Sequence, residues 1–178
     1  MKNQKILFFG ILFFVLLIVS CASGRVKEPS WMSVSDNTRS RNPDIIYGRG
    51  FAETWTSETA IIAARSNAVA HAAQQARLRA VTDTQRFISD SNYDNPEITS
   101  RVIADINLRT DFDFAYRSTH REIYHLKDGR FRAFYGVSVN IEDVNPLIIE
   151  SIEKEPELAD HLNRASELYR NFRNQFSQ

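Results

Sequence analysis

The chain contains one cysteine, Cys21, and this thiol is its most reactive side chain. A lone thiol forms no disulfide within its own chain, and it leaves no set of cysteines for a zinc site. Its sulfur is instead a nucleophile that can form a thioether bond. The chemistry expected at Cys21 is therefore a single covalent modification.

The residues before the cysteine have the layout of a secretory signal peptide. Lys2 and Lys5 stand ahead of an apolar run, Ile6–Val19, and the small Ser20 follows it. A positive start, a short apolar core and a small residue before the cut are typical of such signals. The run is shorter than the roughly 20 residues that a membrane-spanning helix needs. We therefore predict that residues 1–20 are removed.

The stretch Ile18-Val19-Ser20-Cys21 resembles the lipobox of bacterial lipoproteins. The resemblance implies that the Cys21 thiol takes a diacylglycerol, that the signal is cut before Cys21, and that the new amine is acylated. Several acyl chains hold a protein firmly, since each buried CH₂ contributes about 0.8 kcal/mol. The alternative is an uncleaved anchor helix with an unmodified cysteine.

Other titratable groups give weak signals for catalysis or metal binding. His120 and Glu122 would share one side of a strand with His125 on the other, and two ligands are too few for a metal site. Asp111 and Asp113 lie two residues apart, which is typical of a solvated strand face. No Ser, His and Asp grouping has local support. We therefore predict no catalytic residues, no metal and no cofactor.

Gly48 and Gly50 lie near the end of a predicted strand over 44–51. Gly-x-Gly before a helix occurs in nucleotide-binding folds, but Glu53 replaces the third glycine of that fingerprint, and its charge would oppose a phosphate. Glycines also mark a place where a helix crosses a strand closely. The pair is interpreted as this structural feature.

Composition limits the class of partner. The chain has 22 basic and 22 acidic side chains, and loss of Lys2 and Lys5 leaves a small acidic excess. No basic surplus is available to bind nucleic acid or anionic lipid. The length after the signal suits one ordinary domain and a tether. The predicted segments are a signal peptide at 1–20, a lipidated tether at 21–43, an α+β domain at 44–145 and a C-terminal helical segment at 146–178.

Hydrophobic periodicity predicts the elements of the domain. An Ala-rich segment over 56–89 contains no Gly or Pro. We expect it to form one long helix, capped near Ser57 and with His71 on its surface without a partner. A shorter helix is predicted over 97–106. The predicted inner face of the long helix is Ile62, Val69, Ala73, Ala76, Ala80 and Phe87.

Two alternating runs farther along the chain predict a β-hairpin. The second run covers 130–141, and Lys127-Asp128-Gly129-Arg130 joins it to the first. Asp-Gly at this place suits a type I′ turn. One face of the first run carries the apolar side chains, either as core or as a ligand surface, and its residues are Leu108, Thr110, Phe112, Phe114 and Tyr116.

An apolar seam follows Pro156 on the last predicted helix. Its members recur with a period of 3.5 residues, which is the spacing of a coiled coil. The seam packs either on its own chain or on a partner helix in an oligomer, and under three heptads do not decide between the two. The candidate binding residues are Leu158, Leu162, Ala165, Tyr169, Phe172 and Phe176.

Three stretches together resemble the LPP-twenty family of bacterial envelope lipoproteins, which includes the FlgP-like flagellar lipoproteins. The resemblance covers about residues 29–141. It implies a β-α-β-β domain whose long helix lies over an antiparallel sheet, as in dodecin-like folds. It also implies a place in the outer membrane facing the periplasm, and it carries over no catalytic residues. The stretches are Pro29-x-Trp31, Ile46-Tyr47-Gly48-x-Gly50, and the alanines from Ala60 with the repeats Ala64-Arg65 and Ala76-Arg77.

These expectations favour a non-enzymatic lipoprotein that scaffolds an envelope assembly, with the flagellar motor as one such assembly. Its partners would be the membrane, through the lipid, and further copies of itself or an envelope protein complex. The alternative is a periplasmic binding module for a small molecule, a peptide or a cell-wall polysaccharide. Trp31 is expected to dock on the domain, because an exposed Trp in a linker is costly. The candidate surface of the binding module is Phe112, Phe114, Tyr116, Phe134 and Trp31.

Overall fold

A three-stranded antiparallel sheet forms one layer of the protein. The computed structural model describes residues 26–33, 44–109 and 115–176. Within them β1 covers Ile45–Thr54, β2 Tyr116–His125 and β3 Phe131–Asn140. The strand order is β1-β3-β2, so β3 is central and β1 and β2 are the two edges. This arrangement confirms the predicted α+β fold with its β-α-β-β core.

Helices supply the second layer and the C-terminal part of the chain. The long helix lies between β1 and β2 in sequence, and the last three helices follow a short 3₁₀ turn at Ile141–Asp143. None of the helices in the described part of the chain is long and apolar enough to cross a membrane. The helices are α1 at Ser30–Ser33, α2 at Ser57–Ser91, α3 at Pro96–Arg109, α4 at Asn145–Glu153, α5 at Pro156–Ala165 and α6 at Glu167–Phe176.

The long helix α2 packs directly onto the backbone of β1. A Cβ atom added to Gly48 would lie 2.1 Å from the Ala68 carbonyl oxygen, and one added to Gly50 would lie 2.3 Å from the Ala64 carbonyl oxygen. Both contacts are with backbone, which cannot rotate away. The glycine pair therefore serves the close crossing of helix and strand, as interpreted from the sequence. The fully buried alanines of α2 are Ala60, Ala64, Ala68, Ala72, Ala76 and Ala80.

Two details predicted for α2 are wrong. Thr56, and not Ser57, is the N-cap, since its side-chain oxygen accepts from the Thr59 amide at 3.3 Å. The buried stripe recurs every fourth residue, whereas Ile62, expected inside, is 58% exposed. The physical reason is the close approach to β1, which selects the smallest side chains rather than the most apolar ones for the contact row.

The segment before β2 also differs from the prediction. Residues 106–109 continue α3, so Leu108 is an exposed helical residue and not part of a strand. The helix wins because Ile98, Val102 and Ile106 form a buried row with steps of four. The strand begins at Tyr116. Thr110, Asp111, Phe112, Asp113 and Phe114 lie outside the described residues, as do Cys21, the signal peptide and most of the tether.

The hairpin between β2 and β3 is confirmed, but its turn type is not I′. The Gly129 amide donates to the Leu126 carbonyl at 3.0 Å, which places Lys127 and Asp128 in the middle of the turn. Only Gly129 has a positive φ, at 87°, in this turn. A type I turn followed by a glycine bulge has this geometry. Asp128 stabilises it by accepting from the Arg130 amide at 3.1 Å.

The C-terminal helices share one core with the sheet domain. Phe87, near the end of α2, packs on Tyr169 of α6 with ring centroids 5.6 Å apart. The same cluster includes Val137 of β3, Ile152 of α4 and Leu158 of α5, all fully buried. Residues 44–145 and 146–178 are therefore packed together in the structure.

Candidate functional site: the outer face of the sheet and its strap

The two faces of the sheet have different coverings. Alternate residues of a strand point to opposite faces, and α2 covers the face that carries Gly48, Ala133 and Val137. The other face, here called the outer face, has no helix from α2 to α6 packed over its central strand. Its main side chains are Arg49, Phe51 and Glu53 from β1, Arg132 and Phe134 from β3, and His120, Glu122 and Tyr124 from β2.

Residues 26–33, here called the strap, cross this outer face. Trp31 stacks on His120 with ring centroids 4.8 Å apart, and its indole nitrogen donates to Glu122 Oε1 at 2.6 Å. Arg49 donates to the Met32 carbonyl at 3.3 Å. Trp31 thus docks on the domain in the way that the sequence predicts. Phe134 beneath this layer is only 3% exposed.

Glu122 is the central acceptor under the strap. The Tyr124 hydroxyl donates to its second oxygen at 2.5 Å. This hydrogen bond, followed by that from Trp31, holds the pKa of the Glu122 carboxyl below its usual range. The same contact raises the pKa of Tyr124. Glu122 is therefore an ionised anchor at neutral pH, and its two oxygens are already engaged by protein donors.

A second charged group binds the start of the strap. Arg132 Nε donates to Glu53 Oε1 at 2.5 Å, and Arg132 Nη1 donates to the Val26 carbonyl at 3.4 Å. Arg130 pairs with the other Glu53 oxygen at 3.0 Å. Arg132 therefore ties the first described residue of the strap to the end of the sheet where β1 finishes.

The histidines do not converge on a site. His120 and Glu122 do share one face, as predicted, and both contact Trp31. His125 lies against Phe131 with ring centroids 4.8 Å apart. Across residues 26–33, 44–109 and 115–176, no group of three or more His, Cys, Asp or Glu could hold a metal ion.

The prediction that His71 lacks a partner is wrong. Its Nδ1 accepts from the Arg49 amide at 3.1 Å, and Asn67 of the same helix donates to the Phe51 carbonyl at 2.9 Å. Both backbone groups point away from β3, along the free edge of β1. Side chains of α2 therefore cap this edge. The signal in the sequence is the spacing of Asn67 and His71, which are four residues apart and therefore lie on the same face of the helix.

At the other edge of the sheet, no strand within residues 26–33, 44–109 and 115–176 pairs with the free side of β2. Residues Tyr116–Arg121 of β2 are exposed at every position, on both faces of the strand. An uncapped edge strand presents unpaired backbone donors and acceptors to another chain. This surface is not predicted by the sequence pattern, because alternation of residue types reports burial of a face and not whether an edge is covered.

The C-terminal seam is divided between two helices. Ser166 has an extended backbone, with φ −101° and ψ 112°, and separates α5 from α6. Its hydroxyl donates to Asp90 at 2.7 Å and accepts from the Tyr169 amide at 3.1 Å, so it caps α6. The single helix predicted after Pro156 is therefore wrong.

The six seam residues do not form one surface. Several of them pack on their own chain, which is one of the two alternatives for the seam. Phe172, for example, packs on Phe87 with ring centroids 5.0 Å apart. Phe176 packs on Phe172 at the end of α6 with ring centroids 5.3 Å apart, and Ala165 is exposed. The fully buried members are Leu158, Leu162 and Tyr169.

Comparison with protein-family models, with curated proteins and with solved structures finds no match to the chain. The LPP-twenty resemblance therefore stays a prediction from the sequence.

Proposed function

We propose that the protein is a non-enzymatic lipoprotein, anchored in the outer membrane through Cys21 and facing the periplasm, that acts as a scaffold or assembly component of an envelope complex. The anchor rests on the signal pattern and on the lipobox resemblance. The strap adds support, because a segment that begins five residues after Cys21 docks on the domain through Trp31 and Arg132.

The observation that carries the assembly role is the open edge of β2. The strand has ten residues, which is long for an edge that no other strand of the described residues pairs with. At the opposite edge, two backbone groups of β1 bond to His71 and Asn67 of α2. The two edges of the sheet therefore differ in whether side chains satisfy their backbone groups. Strand addition from a second chain would satisfy the backbone groups of β2 and give directional binding.

Site-specific crosslinking in cells tests this role. A photo-reactive amino acid is placed at Ser118 in β2 of the tagged full chain, and the adducts are identified by mass spectrometry. The matched control carries the same amino acid at Gln85, which is exposed on α2. We expect adducts at Ser118 that are absent at Gln85, either with a second copy or with another envelope protein.

The identity of the adduct decides which assembly is involved. The family resemblance makes flagellar basal-body proteins the first to look for. No adduct at Ser118 beyond the Gln85 control would contradict an assembly role for β2. The anchor is tested separately, because Cys21→Ala should abolish incorporation of labelled fatty acid into the chain.

The binding-module alternative has less support from the described residues. Phe134 is buried, and Trp31 is engaged by His120 and Glu122 of the same chain. A ligand that used these aromatic rings would have to displace the strap. The edge of β2 therefore supports the assembly role better than the aromatic side chains support a binding module.

A further inference from the structure

Two exposed aromatic side chains lie toward one end of the sheet. This end, here called the turn end, consists of Phe51–Trp55, which are the last four residues of β1 and the one that follows, and Leu126–Arg130, the turn between β2 and β3. Trp55 is 72% exposed, and Phe51 on the outer face is 56% exposed. Large aromatic rings in water cost free energy, and Trp55 is the most exposed aromatic side chain among the described residues.

The strap leaves the domain at the same end. Its first described residue, Val26, is held by Arg132. In the sheet Arg132 lies opposite Glu53. Glu53 in turn is two residues before Trp55 in the sequence. The chain that leads back to Cys21 therefore starts beside the exposed aromatic side chains.

The length of that chain limits how far the turn end can be from a lipid on Cys21. Four residues lie between Cys21 and Val26, and the five Cα–Cα steps that join the two span at most about 18 Å when fully extended. The far end of the molecule is much more distant, because α2 begins next to Trp55 and its 35 residues extend for about 50 Å. A lipid at Cys21 would therefore hold the turn end closer to the bilayer than the other end of the domain.

From this geometry we propose that the turn end rests on the bilayer surface, with Trp55 and Phe51 in the lipid headgroup region. The inference rests on the proposed function, since the lipid at Cys21 sets the reach. Trp is well suited to this place, because its ring is apolar and its N–H bonds water or headgroups. The turn end carries exposed charges of both signs, Lys127 and Asp128, so the contact should not require anionic lipid.

Depth-dependent quenching tests the surface on the acylated full chain. The protein is reconstituted into phosphatidylcholine vesicles with and without brominated acyl chains, and tryptophan emission is recorded. The chain has two tryptophans, so the contribution of Trp55 is the difference between the natural chain and Trp55→Phe. We expect Trp55 emission to be blue-shifted and quenched by the brominated lipid.

A matched reporter at the far end is the control. Leu168→Trp in the Trp55→Phe background places an indole at an exposed position, 46% accessible in the natural chain, whose amide lies beside Asp90 near the end of α2. This indole should show no lipid quenching. A flexible Gly-Ser insertion of ten residues after Gly24 leaves every described contact in place. It should reduce the quenching of Trp55, because a longer tether no longer holds the turn end close to the bilayer.

The outcomes separate this inference from the proposed function. Mass spectrometry of the N-terminal peptide is done first, and an unmodified Cys21 would overturn the anchor and the membrane-facing surface together. An acylated chain whose Trp55 is not quenched would overturn the surface alone. Protection of Trp55 from acrylamide without quenching by brominated lipid would also overturn it, since a second copy or another protein would then cover the rings.

Discussion

The docking of the strap depends most on one residue, Glu122. It accepts from the Trp31 indole and from the Tyr124 hydroxyl, and both bonds are to its charged form. Hydrogen bonds to the charged form of a carboxyl lower its pKa, and that of Glu122 is below its usual range. Docking therefore favours the ionised carboxylate, and ionisation favours docking.

At residue scale this linkage predicts that acid releases the strap. The Tyr124 hydroxyl lowers the pKa of Glu122 whether or not the strap is docked, and docking of Trp31 lowers it further. The contribution of this carboxylate to docking is therefore complete above the pKa of the undocked state, which lies below the ordinary Glu value of about 4.3, and it is lost as pH falls through the lower, docked pKa. We expect Trp31, observed in Trp55→Phe, to become accessible to acrylamide over this acidic range while the far-ultraviolet circular dichroism stays native.

Two variants make the acid test specific. Glu122→Gln cannot ionise, so its strap should be looser at neutral pH and should show no acidic transition of its own. Asp128→Asn removes another carboxyl whose pKa is lowered, chiefly by Arg130, but it lies in the turn and has no contact with Trp31. An acidic transition that survives in Glu122→Gln, or disappears in Asp128→Asn, would show that Glu122 does not control docking.

At the scale of elements the crossing of α2 and β1 predicts an asymmetry between glycines. Gly48→Ala would force a methyl group onto the Ala68 carbonyl and should lower the free energy of unfolding by about 3 kcal/mol or more. In Gly136→Ala the nearest atom, 2.7 Å away, is the Thr119 hydroxyl, a side chain that can rotate. Urea unfolding of both variants checks this, and equal losses of stability would contradict a backbone-limited crossing.

The same crossing shows what the sequence could and could not predict. The long helix, the hairpin and the role of Gly48 and Gly50 follow from local periodicity and from the special properties of glycine. The row of alanines does not, because it is set by the distance between α2 and β1, which no local pattern encodes. Ser166 illustrates the same limit, since its contact with Asp90 ends a helix that the apolar spacing alone would continue.

The site was predictable to a similar extent. Docking of Trp31 follows from the cost of an exposed indole, but its partners His120 and Glu122 could not be chosen without the fold. The open edge of β2 was not predictable, because it depends on which strand is central in the sheet. Edge positions are decided by strand order, which is a long-range property.

At the scale of the whole molecule, the sheet domain and the C-terminal helices share one packed core. Phe87 of α2 contacts Tyr169 and Phe172 of α6, and Asp90 of α2 accepts from Ser166. Farther along, Lys154 pairs with Asp105 of α3 at 2.7 Å. Apolar, aromatic, polar and ionic contacts thus all cross the boundary between 145 and 146.

Truncation after Glu155 is therefore expected to destabilise the whole protein and not merely to remove a partner surface. It deletes the fully buried Leu158, Leu162 and Tyr169. Large-to-small changes at single core sites cost about 2–5 kcal/mol each, so their combined loss is comparable to the roughly 5–15 kcal/mol that stabilises a domain. Thermal unfolding followed by circular dichroism should show a much lower midpoint or no cooperative transition.

A chain that ends at Phe176 is the control for this truncation, since it keeps every described contact of α5 and α6. An unchanged midpoint after truncation at Glu155 would show that 146–178 is an appendage, and the seam could then be tested as a partner surface by deleting it. If the midpoint falls as expected, deletion cannot distinguish a lost partner from a lost core. The oligomeric state must then be tested with Ala165→Glu, because Ala165 is the seam residue that is exposed.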